Sequence, residues 1–215
     1  MTKTVQLDEK LDFFNGLLLQ MVTRVEEAIL KATAAVRDQN TDLAEKVVAE
    51  DYFIDQLRDM IENDSVRLLI SEAPYGHYMR YVIAGLKMVT SLERMGDHAA
   101  HLASIASRID NDNTVEKEIV QEIVKMATSD AEMFRKAIES LIKKDSKKAI
   151  EVSAMDDEID LFRVNINEMI FSQGDARNRN MYEYFYIVKE LERIGDHITT
   201  ICDWIVYMTD GEKPC

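Results

Sequence analysis

Along the first stretch of the chain, apolar residues recur at spacings of three and four: Leu11, Phe14, Leu18, Met21, Val22, Val25, Ile29 and Ala32. This is the stripe that a helix buries against a partner. Polar clusters interrupt the pattern. Arg37-Asp38-Gln39-Asn40-Thr41-Asp42, Asp110-Asn111-Asp112-Asn113-Thr114 and Lys143-Lys144-Asp145-Ser146-Lys147 each read as a helix-ending turn followed by an N-cap residue. Pro74 with Gly76, Gly174, and the closing Gly211 and Pro214 supply the other breaks. The pattern predicts six helices, over 8–37, 42–72, 76–109, 114–143, 147–172 and 176–209. At about 25–35 residues each they span roughly 40–50 Å, and short connections between helices of that length imply antiparallel bundles.

An internal repeat organises the helices. Asp51, Ile54, Asp55, Arg58 and Ile61 reappear as Asp156, Ile159, Asp160, Arg163 and Ile166, an offset of 105 that also relates Met21, Thr23, Glu27, Lys31 and Ala32 to Met126, Thr128, Glu132, Lys136 and Ala137. Val89, Leu92, Glu93, Arg94, Gly96, Asp97 and His98 reappear as Val188, Leu191, Glu192, Arg193, Gly195, Asp196 and His197, at offset 99. The six-residue change falls where the first half carries its longer Pro74-containing connection. The expected architecture is all-α: two tandem three-helix bundles, 1–110 and 111–215, joined near 110–113.

Composition agrees with long elements. With only 7 Gly and 2 Pro in 215 residues, an all-β sandwich or a doubly wound α/β fold lacks its turn residues. A formal charge of −14 argues against binding nucleic acid or an anionic lipid surface, and 47% hydrophobic content places that charge on a folded body. The N-terminus resembles no signal peptide, and no run of about 18 apolar residues occurs, so a soluble, cytoplasmic chain is expected. Cys202 and Cys215 form no metal-ligand spacing or disulfide framework, which suits a reducing compartment.

The repeated residues contain four acidic pairs spaced i, i+4: Asp51 with Asp55, Glu93 with Asp97, Asp156 with Asp160, and Glu192 with Asp196. On a helix each pair shares a face, at a repulsive cost of a few tenths of a kcal/mol. A bound hard cation such as iron, manganese, magnesium or calcium reverses that sign. The alternative is a solvated acidic face, or pairing with Arg58, Arg94, Arg163 and Arg193. Arg94 and Arg193 sit about 100° around the helix from the Glu they follow and are expected to serve a neighbouring helix. Gly96 and Gly195, inside strong helical patterns, mark either close helix approach or space cleared beside the carboxylates. His98 and His197 are expected to make structural hydrogen bonds to another helix, whereas His101, on the face of Glu93 and Asp97, could add a nitrogen ligand in the first half only, since its counterpart is Thr200. His77 stands at a helix start with no partner in view, and Lys143, Lys144, Lys147 and Lys148 complement a helix C-terminus or meet an anionic partner.

Enzymatic markers are missing. The chain has no Glu-x-x-His pair of the di-iron type, and no GxxxxGK[ST], GxSxG, HExxH or GxGxxG.

Leu92-Glu93-Arg94-Met95-Gly96-Asp97-His98 and Leu191-Glu192-Arg193-Ile194-Gly195-Asp196-His197, in duplicated three-helix halves, resemble the signature of the PhoU family. Pro74, Arg80, Leu86-Lys87 and Trp204-Ile205-Val206-Tyr207-Met208 extend the likeness over essentially the whole chain. The resemblance implies a cytoplasmic negative regulator of phosphate uptake and of the phosphate-starvation response, not an enzyme. It implies contacts with the ATPase subunit of the Pst transporter and with a membrane sensor histidine kinase, commonly as a homodimer that reaches the membrane through its partners. It also implies iron or zinc, with manganese or magnesium as alternatives, on Asp51, Asp55, Glu93, Asp97, Asp156, Asp160, Glu192 and Asp196. The chain departs from the family at Ser91, where an acid is usual and the second half has Glu190, and at His101 and Thr200, where Asn is common. An accessory role for another phosphate transporter and a metal-storing helical bundle are the competing expectations.

Overall fold

The computed structural model describes residues 3–109, 114–173 and 179–212, so the expected joint at 110–113 and Cys215 lie outside the described residues. These residues form helices α1 (Lys3–Asp38), α2 (Thr41–Glu72), α3 (His77–Ala106), α4 (Thr114–Lys143), α5 (Ser146–Ser153), α6 (Asp156–Gln173) and α7 (Arg179–Asp210), with no strand among them. Helices α1 to α3 make one bundle; α4, the α5–α6 pair and α7 make the second.

The first joint of each half has the same chemistry. Gln39 and Lys144 take positive φ, at 51° and 52°, and so end α1 and α4 in the left-handed conformation. The next residue then caps the following helix: the Leu43 amide donates to the Asn40 Oδ1, and the Lys148 amide to the Asp145 Oδ1, each at 3.0 Å. One dipeptide thus reverses the chain and starts the next helix.

The halves differ in one respect that the hydrophobic pattern does not reveal. Where α2 runs unbroken, the expected helix 147–172 is interrupted at Ala154 and Met155, which form a tightened turn with the Met155 amide donating to the Val152 carbonyl at 3.0 Å. In α2 the counterpart of Met155 is Glu50, which receives Lys31 at 2.9 Å; Met155 offers only its sulfur, 3.8 Å from Lys136 Nζ. Immediately after the break, Asp156, Asp157 and Glu158 occupy the first turn of α6, where acids favour a helix N-terminus.

Helix α3 is the centre of the molecule. It packs on α1 and α2 in its own bundle and, most extensively of all, on α7 of the other. The apolar faces therefore merge into one core running through both halves, with Phe14, Met21, Met95, Phe134, Tyr184 and Ile194 fully buried. Arg108, just beyond α3, adds an ion pair to Glu183 of α7 at 3.0 Å.

Gly85 shows how tightly α1 approaches α3. A Cβ there would overlap Cζ of the buried Phe14 ring and lie 2.8 Å from its Cε1. Gly85→Ala should destabilise the chain by about 1–2 kcal/mol, because overpacking costs more than the ~1 kcal/mol of helix propensity it recovers. Urea denaturation checks this; an unchanged or raised midpoint would mean that Phe14 yields without cost.

A candidate cation site duplicated across the two bundles

Helices α2 and α3 bring the four first-half acids together. Arg58 of α2 binds Glu93 of α3 at 2.6 Å and Asp55 of its own helix at 3.1 Å, so a guanidinium occupies part of the space between the two acidic pairs. Arg94 folds back along α3 onto Asp97 at 3.2 Å and Glu93 at 3.5 Å. The expectation that Arg94 serves a neighbouring helix is therefore corrected. On an exposed helix face, i, i+3 pairing is the shorter reach, and it is Arg58 that crosses. Asp51 alone of the four has no arginine. Burial and the charges of Asp97, Asp55 and Glu93 push it up to about 6. Gly96 makes the approach possible: a Cβ there would lie 2.9 Å from Ile54 Cδ1 and 3.1 Å from Asp51 Oδ1. Both readings of this glycine, close packing and room beside a carboxylate, apply at once.

The second half repeats the plan on α6 and α7. Arg163 pairs with Asp160 at 3.3 Å and reaches Glu192 at 3.7 Å, while Arg193 stays on its own helix with Asp196 at 3.3 Å. Asp156 is again the acid without an arginine, and burial together with Asp196, Asp160, Asp157 and Glu192 raises it to about 6. A Cβ on Gly195 would lie 2.8 Å from Asp156 Oδ1. Each cluster is thus partly neutralised by its own arginine and retains one carboxylate whose charge is unfavourable.

Comparison with known proteins decides the family. The PhoU domain model matches the chain twice, over residues 18–106 and 123–205. The chain belongs to the PhoU family. The phosphate-specific transport system accessory protein PhoU homologs of Clostridium acetobutylicum and Zymomonas mobilis are 29% and 30% identical to it, over 99% and 96% of this chain and 98% and 87% of the relatives. Among solved structures, the phosphate transport system regulatory protein PhoU of Streptococcus pneumoniae superposes with a TM-score of 0.89 at 26% identity, covering 100% of both chains. PhoU of Pseudomonas aeruginosa gives 0.88 at 25% identity, over 95% of this chain and 99% of that one. The PhoU architecture of two three-helix repeats is therefore that of this chain. These relatives are named for accessory and regulatory roles in phosphate transport, not for a reaction.

Sequence reasoning missed one member of the second cluster. Asp130 of α4 is fully buried, and neither of its carboxylate oxygens has a hydrogen-bond partner. Burial, reinforced by the charge of Asp156, holds its pKa well above the usual carboxylate range. Its Oδ1 lies 3.4 Å from the position of a Gly195 Cβ, so Asp130 and Asp156 converge on the same point. The repeat contained the signal: at offset 105 the first half has Val25, a fully buried core residue.

The other candidates resolve differently. His98 Nδ1 donates to Glu190 Oε2 of α7 at 2.6 Å, which is the interhelical hydrogen bond expected of it, and the His197 ring stacks on it at 5.5 Å. His77 begins α3 and lies against Tyr78, with ring centres 4.0 Å apart. In the basic cluster, Lys143 occupies the last turn of α4, Lys144 lies over the Tyr81 ring at 5.4 Å, and Lys148 binds Glu139 at 2.8 Å, so three of its four lysines have local roles. Cys202 is buried and its thiol is pushed up to about 12, which makes it a poor nucleophile.

The raised carboxyls set a pH dependence. Asp51 and Asp156 hold protons in the folded state up to about 6 but release them near 3.8 when unfolded. The folded state therefore binds more protons between these values, and metal-free protein should lose stability as pH rises from about 4 through about 6. Allowing for solvent screening, each should contribute about 1 kcal/mol. Urea denaturation in chelator at several pH values should show this slope, flattened in Asp51→Asn/Asp156→Asn. An equally steep slope in the double variant would assign it to other groups.

Proposed function

We propose that this chain is a cytoplasmic negative regulator of phosphate uptake and of the phosphate-starvation response, acting as an adaptor between a phosphate transporter's ATPase subunit and a sensor histidine kinase. The observation that carries this reading is the duplicated Leu-Glu-Arg-x-Gly-Asp-His segment, with its acids facing the preceding helix in both bundles of a PhoU fold. It acts by binding rather than by catalysis. No helix among the described residues is long and apolar enough to cross a membrane, and the proposed adaptor reaches the membrane through its partners. A homodimer is the working unit, and the charge of −14 on each chain turns nucleic acid away.

The acidic clusters are proposed as cation sites for iron or zinc, or for manganese or magnesium. The residues fit such a group. Asp51, Asp55, Glu93 and Asp97 in the first half, and Asp156, Asp160, Glu192 and Asp196 in the second, offer hard oxygen donors, and Gly96 and Gly195 leave room beside them. In the second half Asp130 supplies a buried oxygen that lacks any other partner. A cation there would offset carboxylate repulsion and tie α2 to α3, or α6 to α7, so that its loss would loosen the faces a partner meets. Arg58 and Arg163 would then give up part of their pairing, as competitors for the same oxygens.

Co-purification of tagged chain with the transporter's ATPase subunit from cells grown in high phosphate tests the adaptor reading. Recovery of that subunit, and of the kinase with it, is expected. Recovery of neither, with the chain folded and abundant, would contradict it.

A further inference from the structure

Outside the acidic clusters, a second group of donors meets where the two bundles join. His98 and His101 stand one turn apart on α3, on the side that faces α7, and Glu190 of α7 lies between them. Glu190 Oε2 is 2.6 Å from His98 Nδ1 and 3.7 Å from His101 Nδ1, and one donor atom from each of the three residues falls within 4.8 Å of the others. His98 and Glu190 are largely buried, whereas the His101 side chain is 67% exposed, so the group is anchored on one side and open to solvent on the other. Burial alone would raise the Glu190 carboxyl; the His98 hydrogen bond and the charges of His98, His101 and Lys189 instead hold it below the usual range and keep it an anion.

The internal symmetry shows that only His98 of this group is common to both halves. At offset 99 its mirror image is His197, Thr200 and Ser91. Thr200 donates its hydroxyl to the Asp196 carbonyl at 3.0 Å, and Ser91 is buried. The same pseudo-twofold seam thus offers two equivalent places, and only one carries an imidazole and a carboxylate in addition to the shared histidine. A plain hydrogen bond between α3 and α7 needs only His98 and Glu190. It leaves unexplained a second imidazole aimed at the same oxygen.

We propose that His98, His101 and Glu190 form a transition-metal site of the zinc class that clasps α3 to α7 across the seam between the two bundles. Two imidazole nitrogens and a carboxylate oxygen are a donor set for zinc, with the open side left for water. They select against magnesium and calcium, which prefer the all-oxygen acidic clusters. In a tetrahedral site with ligands at about 2.0–2.1 Å, donors stand ~3.3 Å apart. The exposed His101 closes that gap by side-chain rotation, and the His98–Glu190 pair opens slightly. Binding displaces the Nδ1 proton of His98: a neutral ring carries it over to Nε2 with no net release, and a doubly protonated ring gives it up to solvent. The site does not depend on the acidic clusters being occupied, and it is separable from them by substitution.

The test uses full-length protein stripped with chelator and titrated with Zn2+ alone against a chromophoric competitor. The background is Glu93→Gln/Asp97→Asn/Glu192→Gln/Asp196→Asn, which disables the acidic clusters. One zinc equivalent is expected to remain in that background, and His101→Ala or Glu190→Gln should weaken it at least tenfold, the scale on which even outer-shell partners act. His101 is exposed, so its replacement leaves the fold intact, and Zn2+ should raise the melting temperature of the quadruple variant but not of that variant with His101→Ala added. Cobalt substituted for zinc should give tetrahedral visible bands that disappear with His101. Retention of the equivalent at unchanged affinity in both single variants would overturn the proposal. So would its absence from the folded quadruple variant while the parent binds zinc.

Discussion

Replacing Asp130 by Val is expected to stabilise the metal-free protein by about 2 kcal/mol at neutral pH, raising its melting temperature by roughly 5 °C. The carboxyl is fully buried, with no partner for either oxygen, so the folded state bears the cost of desolvating a polar group without a compensating hydrogen bond. Val25 occupies the repeated position in the first half and is equally buried there, so the substitution transplants a solution the fold already uses. Because the Asp130 pKa is raised, the advantage should shrink as pH falls towards that of an ordinary carboxyl, where the unfolded chain takes up the same proton that the folded state already holds. Asp130→Asn, which removes charge but keeps a polar group, should gain less. A destabilised Asp130→Val in chelator would mean that the carboxyl has a favourable partner.

The second large effect concerns bound metal. Glu93→Ala/Asp97→Ala should remove about half of the metal retained by the acidic clusters after purification, and adding Glu192→Ala/Asp196→Ala should remove nearly all of it, since coordination fails when the donor set is incomplete. Elemental analysis of protein from cells supplied with iron and zinc gives the answer. The zinc equivalent assigned to His98, His101 and Glu190 should survive both changes and vanish with His101→Ala. Undiminished metal in the four-alanine variant beyond that one equivalent would reduce the eight residues to ordinary acids, six of them held by Arg58, Arg94, Arg163 and Arg193.

Much of this organisation is legible in the residues because it is local or repeated. Helix ends follow from polar clusters at Asn40 and Asp145, whose capping needs only neighbours along the chain. The meeting of Asp51 and Asp55 with Glu93 and Asp97 follows from adjacent antiparallel helices and from the recurrence of the same four acids. What escaped depends on contacts between distant segments. No periodicity indicates that α3 packs more extensively on α7 than on either helix of its own bundle, and so neither does it indicate that Glu190 would face His98 and His101. His101 was placed on the Glu93 and Asp97 face, and its charge is indeed felt at Asp51, but its nearest carboxylate is across the seam. Asp130 read as one acid among 40, because an amphipathic pattern does not distinguish a buried carboxyl at a stripe position from a polar residue beside it. The break at Ala154 and Met155 carries no Pro or Gly; it reflects the loss of the Glu50–Lys31 pairing and the acidic start of α6.

Transcription of phosphate-starvation genes in rich phosphate, in a strain lacking this chain, tests the central claim most directly. The account predicts derepression in the deletion strain and return to the repressed level when the wild-type chain is supplied. Repression that persists in the deletion strain, with iron or zinc handling altered instead, would contradict it and leave a metal-storing bundle as the reading.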